Sequence, residues 1–272
     1  MVWDKVFAKR AMTAVLGILL ILSLMFWGGI WGMTLLAILA CFGALFEYFA
    51  MLFSLREQKL QQIVGIAAGF FLSFLIIFRS SFLYEGMSLF FVFMFIFYLL
   101  LFHLYEGSYQ KLFYDLGSSL LGVFYIAVLF SFWPKIRELP NGLHWIFLVF
   151  LIPWLSDTFA YFVGRSFGKR KLAPAISPHK TQEGAIAGII AAVLGVCFFK
   201  VLSFEALGWG DCLIVGSVGA VVSQVGDLFE SFIKRALGVK DSGVVIPGHG
   251  GILDRFDSVL FCGPFIYFYA GL

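Results

Sequence analysis

The sequence of 272 residues predicts an all-α protein: a polytopic integral membrane helix bundle of about nine transmembrane helices with a cytoplasmic N-terminus. Three observations lead there. Hydrophobic residues make up 61% of the chain and charged ones 13%, against about 25% charged in soluble domains, so lipid must cover much of the surface. The apolar residues form unbroken runs such as 88–105. These suit helices crossing ~30 Å of hydrocarbon and lack the alternation of a membrane β-barrel. Once spans are placed, Arg79, Lys135, Arg137 and Lys200 face one side and the other 15 of the 19 Lys and Arg face the opposite side. Basic loops stay in the cytoplasm, which puts the N-terminus there.

The first span covers 11–28. Lys5, Lys9 and Arg10 precede it as in a secretory signal, but the apolar stretch is long for one, lacks an A-x-A site and runs into the next span, so it is expected to be retained. Spans follow at 31–54, 62–78, 87–105, 116–134, 143–163, 184–203, 213–235 and 255–271, each bounded by charges, Gly or Pro. Trp27, Trp31, Tyr105 and Trp133 fall near the expected membrane interfaces. Cys41, Cys197, Cys212 and Cys262 are far apart with no CxxC spacing and read as membrane-embedded residues, neither disulfides nor metal thiolates. A net charge of +3 gives no reason to expect nucleic acid as a partner.

Two regions differ in chemistry. Residues 1–155 read as scaffold helices, in which Glu47 is the lone intramembrane acid and is expected to pack between helices or snorkel. Residues 156–272 read as the catalytic region, with its site on the cytoplasmic side, because acids and bases enter the apolar runs there. In the eighth span Ser223, Asp227, Glu230 and Lys234 recur every three or four residues and share one helix face. An Asp at mid-membrane costs about 2.5–3.5 kcal/mol on insertion scales, so this stripe requires a wet or paired interior surface.

The stripe continues into Lys240-Asp241-Ser242-Gly243, Pro247-Gly248-His249-Gly250-Gly251 and Asp254-Arg255-Phe256-Asp257-Ser258. Glycines at 248, 250 and 251 allow backbone N–H groups to turn toward an anion, and Lys234, Arg235, Lys240 and Arg255 supply positive charge, a combination suited to polyphosphate. His249 either touches phosphate or caps the turn. Asp254 and Asp257, three apart, share a face of the first turn of the ninth span. Carboxylates without Cys or clustered His favour a hard cation such as Mg²⁺, bound by one or two side chains plus substrate phosphates.

A second cytoplasmic loop carries the same theme. Asp157 and Tyr161 precede a basic run from Arg165 to Lys171, and Ser177-Pro178-His179-Lys180-Thr181-Gln182-Glu183-Gly184 leads into the seventh span. Lys180 and Thr181 stand where a helix N-terminus would receive phosphate. Asp157 either pairs with a base or takes a metal or substrate role. His103 and His144 are expected to pack at span ends.

Ser231-Phe-Ile-Lys234-Arg235, Lys240-Asp241-Ser-Gly243, Ile246-Pro247-Gly-His249-Gly250-Gly251 and Asp254-Arg255-Phe-Asp257 together resemble the signature of the phosphatidate cytidylyltransferases, or CDP-diacylglycerol synthases. The upstream blocks Asp157–Gly164 and Ser177–Gly184 are similar to the same family, so the resemblance covers roughly the last 40% of the chain. His179 departs from members that carry a second Lys beside Lys180. The resemblance implies that CTP and phosphatidate are converted to CDP-diacylglycerol and pyrophosphate in phospholipid biosynthesis. It implies Mg²⁺, with a second, monovalent cation left open, a homodimer, and a bacterial plasma membrane with the site facing the cytoplasm. It gives Asp227 and Asp254 the metal, with Asp257, Asp241 and Asp157 as further carboxylates. Lys180, Lys234, Arg235, Lys240 and Arg255 are expected to neutralise phosphates, and Ser177, Thr181 and the glycines to bind substrate. The alternative is an ion-coupled transporter using Asp227 and Glu230; transporters, however, place such sites near the midplane of repeated halves.

Overall fold

The computed structural model describes residues 17–53, 58–78, 83–104, 108–243 and 250–272. Lys5, Lys9, Arg10, Arg56, Arg79, Gly248 and His249 lie outside the described residues. In order, the elements are α1 (Gly17–Phe26), α2 (Gly29–Leu52), α3 (Lys59–Phe78), α4 (Leu83–Leu104), α5 (Tyr109–Val123) running into a π-helical turn (Phe124–Val128), α6 (Phe132–Glu138) and α7 (Gly142–Phe167). A hairpin of β1 (Lys171–Ala173) and β2 (Ser177–Thr181) follows, then α8 (Gln182–Ser203), α9 (Trp209–Ala236) and α10 (Leu253–Ala270).

Six helical stretches among the described residues are long and apolar enough to cross a membrane: Gly29–Leu52, Lys59–Phe78, Tyr109–Glu138, Gly142–Phe167, Gln182–Ser203 and Trp209–Ala236. The expected fifth span, 116–134, is longer at both ends because α5, the π turn and α6 run on as one stretch. The expected eighth span is likewise extended. The 28 residues of α9 reach about 42 Å at 1.5 Å per residue, more than the ~30 Å of hydrocarbon, so a helix end carrying Lys234 and Arg235 has room to leave it. In α10, by contrast, Asp254, Arg255 and Asp257 occupy the opening turns of an 18-residue helix, and the apolar remainder is short for a span.

The outer faces of the helices are apolar, and on α8 the inner face is small. On α8, Ile186, Ile190, Leu194 and Phe198 are exposed at successive turns, whereas Gly184, Gly188, Ala191 and Ala192 are buried. A Cβ on Gly188 would lie 2.7 Å from the Ser156 carbonyl oxygen and one on Gly184 2.6 Å from that of Ala160. The small-residue stripe of α8 therefore lets it pack internally against α7. Gly226 does the same on α9, where a Cβ would lie 2.7 Å from the Asp257 carbonyl oxygen, bringing α10 against the acidic stripe. Helices α7 to α10 thus pack together, and α2 packs on α3, α5 and α6.

An aromatic knot ties the two groups of helices. Trp133 of α6 is fully buried, with ring centroids 4.8 Å from Phe130, 5.1 Å from Phe150 of α7 and 5.3 Å from Phe256 of α10. This corrects its expected place at a membrane interface. Trp27 and Trp31 are exposed. His144 packs at its helix end, stacked 4.8 Å from Phe204.

Candidate active site

One end of the α7–α10 group opens into a cavity of about 830 Å³. Its wall takes Asp157, Tyr161 and Arg165 from α7, Lys171, His179, Lys180 and Thr181 from the hairpin, and Gln224, Asp227 and Lys234 from α9. Asp241 and, from α10, Asp254, Arg255 and Asp257 complete it. Motifs separated by up to 100 residues in the chain therefore meet in one space.

Local backbone chemistry explains how each wall is held. Helix α8 begins at Thr181, whose Oγ1 accepts the Gly184 N–H at 3.2 Å, an N-cap. Gly164 and Gly168 are glycine because a Cβ on either would come within 2.8 Å of Thr181 Oγ1. The adjoining Glu183 carboxylate accepts the N–H groups of Lys169 and Arg170 at 3.0 and 3.2 Å and turns the basic run beneath it. At the other end of the site, α9 stops in a Schellman motif. Gly238, at φ +73, donates its N–H to the Arg235 carbonyl, and Val239 donates to that of Lys234. The turn sends Asp241 back to the cavity.

The charges in the cavity are unevenly matched. Lys180 pairs with Asp227. Lys234 bridges Glu230 Oε2 at 2.5 Å and Asp254 Oδ1 at 2.7 Å, with Glu230 fully buried. Asp254 Oδ2 also accepts the N–H groups of Ser242 at 3.0 Å and Gly251 at 2.8 Å. Asp157 and Asp257 share one hydroxyl: Ser258 Oγ lies 3.3 Å from Asp157 Oδ2 and 3.4 Å from Asp257 Oδ1. Ser258 N–H adds a 2.7 Å bond to Asp257 Oδ1. Among the described residues neither of these two acids forms an ion pair, nor does the exposed Asp241, so the cavity holds carboxylates without a cation partner. No three Asp, Glu, His or Cys side chains among the described residues form a ready metal cage.

Not every residue singled out by the sequence reaches this cavity. Arg235 is exposed and donates to the Val239 carbonyl at 3.0 Å, Lys240 is exposed, and Ser177 pairs with Ala173 across the hairpin. Gly250 and Gly251 serve carboxylates of the protein rather than an open anion site. Gly250 has φ +84, and a Cβ there would lie 2.9 Å from Asp254 Oδ2, while a Cβ on Gly251 would overlap Ser242 Oγ and Glu47 Oε2. Sequence reasoning missed Gln224, which donates to Ser156 Oγ and to the Ala185 carbonyl, both at 3.0 Å, and orders the cavity wall between α7, α8 and α9. A polar residue one turn from Asp227 inside an apolar run was the available signal. It also missed the reach of Glu47, which accepts from Ser242 Oγ and from the Ile252 and Leu253 N–H groups.

Comparison with known proteins adds a second line. A sequence model of the cytidylyltransferase family matches residues 8–272. The phosphatidate cytidylyltransferase of Bacillus subtilis (strain 168) is 45% identical over 159 residues, 58% of this chain and 59% of that protein. Those of Staphylococcus haemolyticus (strain JCSC1435) and Staphylococcus aureus (strain COL) are each 44% identical, over 155 and 158 residues, covering 57% of this chain and 58% of theirs. The matched region thus spans less than two thirds of the length of these relatives. With the family match running over nearly the whole length, the chain belongs to the cytidylyltransferase family.

Proposed function

We propose that this protein is a phosphatidate cytidylyltransferase, joining CTP and phosphatidate into CDP-diacylglycerol with release of pyrophosphate. The observation that carries the reading is the single cavity in which Asp157, Lys180, Asp227, Lys234, Asp254, Arg255 and Asp257 meet at one end of an apolar helix group. Such a site serves a lipid phosphate and a soluble nucleotide together, and the relatives bear that enzyme name. In the reaction a phosphate oxygen of phosphatidate attacks the α-phosphorus of CTP. The new P–O bond forms as the bond from the α-phosphorus to the bridging oxygen breaks, and pyrophosphate leaves with the electron pair. A phosphate monoester is already an oxyanion near neutral pH, so no side chain has to remove a proton. Lys180, Lys234 and Arg255 neutralise the gathered phosphates, and positioning with charge neutralisation provides most of the rate.

Mg²⁺ is the proposed cofactor. The residues present fit it. Asp157 and Asp257 are carboxylates without a cation partner and Asp227 adds another on the cavity wall, whereas Asp254 has Oδ1 on Lys234 and Oδ2 on the N–H groups of Ser242 and Gly251 and would have to leave Lys234 to reach an ion. An oxygen-only donor set that leaves room for phosphates is what Mg²⁺ takes. When bound, the ion supplies charge neutralisation of the reacting phosphates. The protein's own groups hold that place together: Lys180 shields Asp227, and Ser258 sets Asp157 and Asp257 side by side.

The proposed setting is a bacterial plasma membrane, crossed about nine times, with the N-terminus and the cavity on the cytoplasmic side and two copies in the working assembly. The gathering of basic residues around the cavity supports that orientation. A transporter would use Asp227 and Glu230 as one coupling site, but Glu230 is fully buried against Lys234 while Asp227 faces the cavity. The test uses purified protein in detergent with phosphatidate, labelled CTP and Mg²⁺, beside Asp254→Asn and an EDTA control. Label should enter lipid in step with pyrophosphate release and be lost in both controls. Folded wild-type protein that transfers no label across a range of lipids and nucleotides would sink the assignment.

A further inference from the structure

Glu47 belongs to α2, in the half of the chain that contributes no lining residue to the cavity, and is 2% exposed. Among the described residues, its three hydrogen bonds all come from the other half. Oε1 accepts the Ile252 N–H at 2.8 Å, and Oε2 accepts the Leu253 N–H at 2.9 Å and Ser242 Oγ at 3.0 Å. The surrounding sequence is shaped to this one carboxylate. A Cβ on Gly243 would lie 2.9 Å from Oε1, and a Cβ on Gly251 would overlap Oε2. Ser242 is held twice, by its hydroxyl to Glu47 and by its N–H to Asp254 Oδ2.

The two backbone donors are the ones that open α10, which have no intrahelical acceptor and would otherwise be orphaned in a buried place. One and two residues further along come Asp254 and Arg255, and Asp257 follows on the next turn. A carboxylate suits this task where an amide does not, since glutamine offers one accepting atom and would set its NH₂ against a donor. We propose that Glu47 is a positioning residue for cytidylyl transfer, fixing through Ser242, Ile252 and Leu253 where α10 begins and so where Asp254, Arg255 and Asp257 stand in the cavity. The inference rests on the function proposed above. Displacement of reacting groups by ~1 Å costs about 100-fold in rate, so a loosened α10 start should appear in turnover before it appears in substrate affinity.

The experiment measures kcat and KM for both substrates, with melting temperature, in purified wild type, Glu47→Gln, Ser242→Ala, their double variant and Asp211→Asn, all well below their melting points. Asp211 is the control: it accepts Tyr269 Oη at 2.6 Å and the Gly208 N–H at 2.9 Å at the far end of α10 from the cavity. Glu47→Gln should lower kcat by about 30–100-fold with KM changed less than about threefold. Ser242→Ala should lower kcat by less, the double variant should be no worse than Glu47→Gln, and Asp211→Asn should lose melting temperature while keeping kcat. A Glu47→Gln enzyme with wild-type kcat, or a double variant whose losses multiply, would overturn the proposal. Should Glu47→Gln fail to fold, Ser242→Ala decides: reduced kcat at unchanged melting temperature supports the role, and wild-type kcat refutes it. Wild-type protein without transfer would overturn the function and this role with it, whereas active wild type beside an equally active Glu47→Gln overturns the role alone.

Discussion

Replacing Lys234 by methionine removes the cation that stands between Glu230, at 2.5 Å, and Asp254, at 2.7 Å. The two acids are not equally dependent on it. Asp254 keeps the N–H groups of Ser242 and Gly251, but Glu230 is 0% exposed and Lys234 is its ion-pair partner. Removing one member of a buried pair costs about 3–5 kcal/mol because the other charge is left without compensation. Lys234 retains 12% side-chain exposure, so water relieves part of that, and the low end, about 3 kcal/mol, is expected. On the scale of single domains this is a fall in melting temperature of roughly 6–12 °C. The assay is thermal unfolding in detergent followed by tryptophan fluorescence, with Trp133 buried at the helix junction as a reporter. Lys234→Met with Glu230→Gln should recover a substantial part of the loss, since the charge that needed Lys234 is gone, yet should stay inactive because Lys234 also faces the cavity. A single variant melting within about 2 °C of wild type, or a double variant that melts no higher than the single, would refute the reasoning.

Two further perturbations probe the frame of the site. Gly251→Ala sets a Cβ into Ser242 Oγ and Glu47 Oε2 and should cost about 1–3 kcal/mol with loss of transfer, read by melting and by label entering lipid; a wild-type melting point would refute the need for glycine there. Thr181→Val keeps shape but removes the N-cap of α8, and should lower stability by about 1 kcal/mol, whereas Thr181→Ser, which retains the oxygen, should restore it in the same melting assay.

Much of this molecule was legible in its sequence. Apolar runs and the scarcity of charge demand helices in lipid whatever their neighbours, because an unpaired backbone group in hydrocarbon costs several kcal/mol. The stripe Ser223, Asp227, Glu230 and Lys234 follows from helical periodicity alone, and so does its one-sided polarity. What periodicity cannot supply is the partner. That Lys234 is committed to Glu230 and Asp254, that Trp133 lies in the core, and that the small face of α8 meets α7 depend on which helices are adjacent.

The Gly-rich segment shows the division most clearly. From its residues, glycines beside basic groups are equally consistent with an anion held by backbone N–H groups and with close packing. Only the tertiary structure brings Glu47 from some 200 residues earlier against Ser242, Gly251, Ile252 and Leu253. Sequence by itself determined the kind of solvent, the helices and the chemistry of the polar groups, since these depend on each residue and its near neighbours along the chain. Tertiary structure decided which acids hold the backbone and which face the cavity, because a carboxylate's role is set by the donors and charges within about 3 Å of it, and packing brings those from distant parts of the chain.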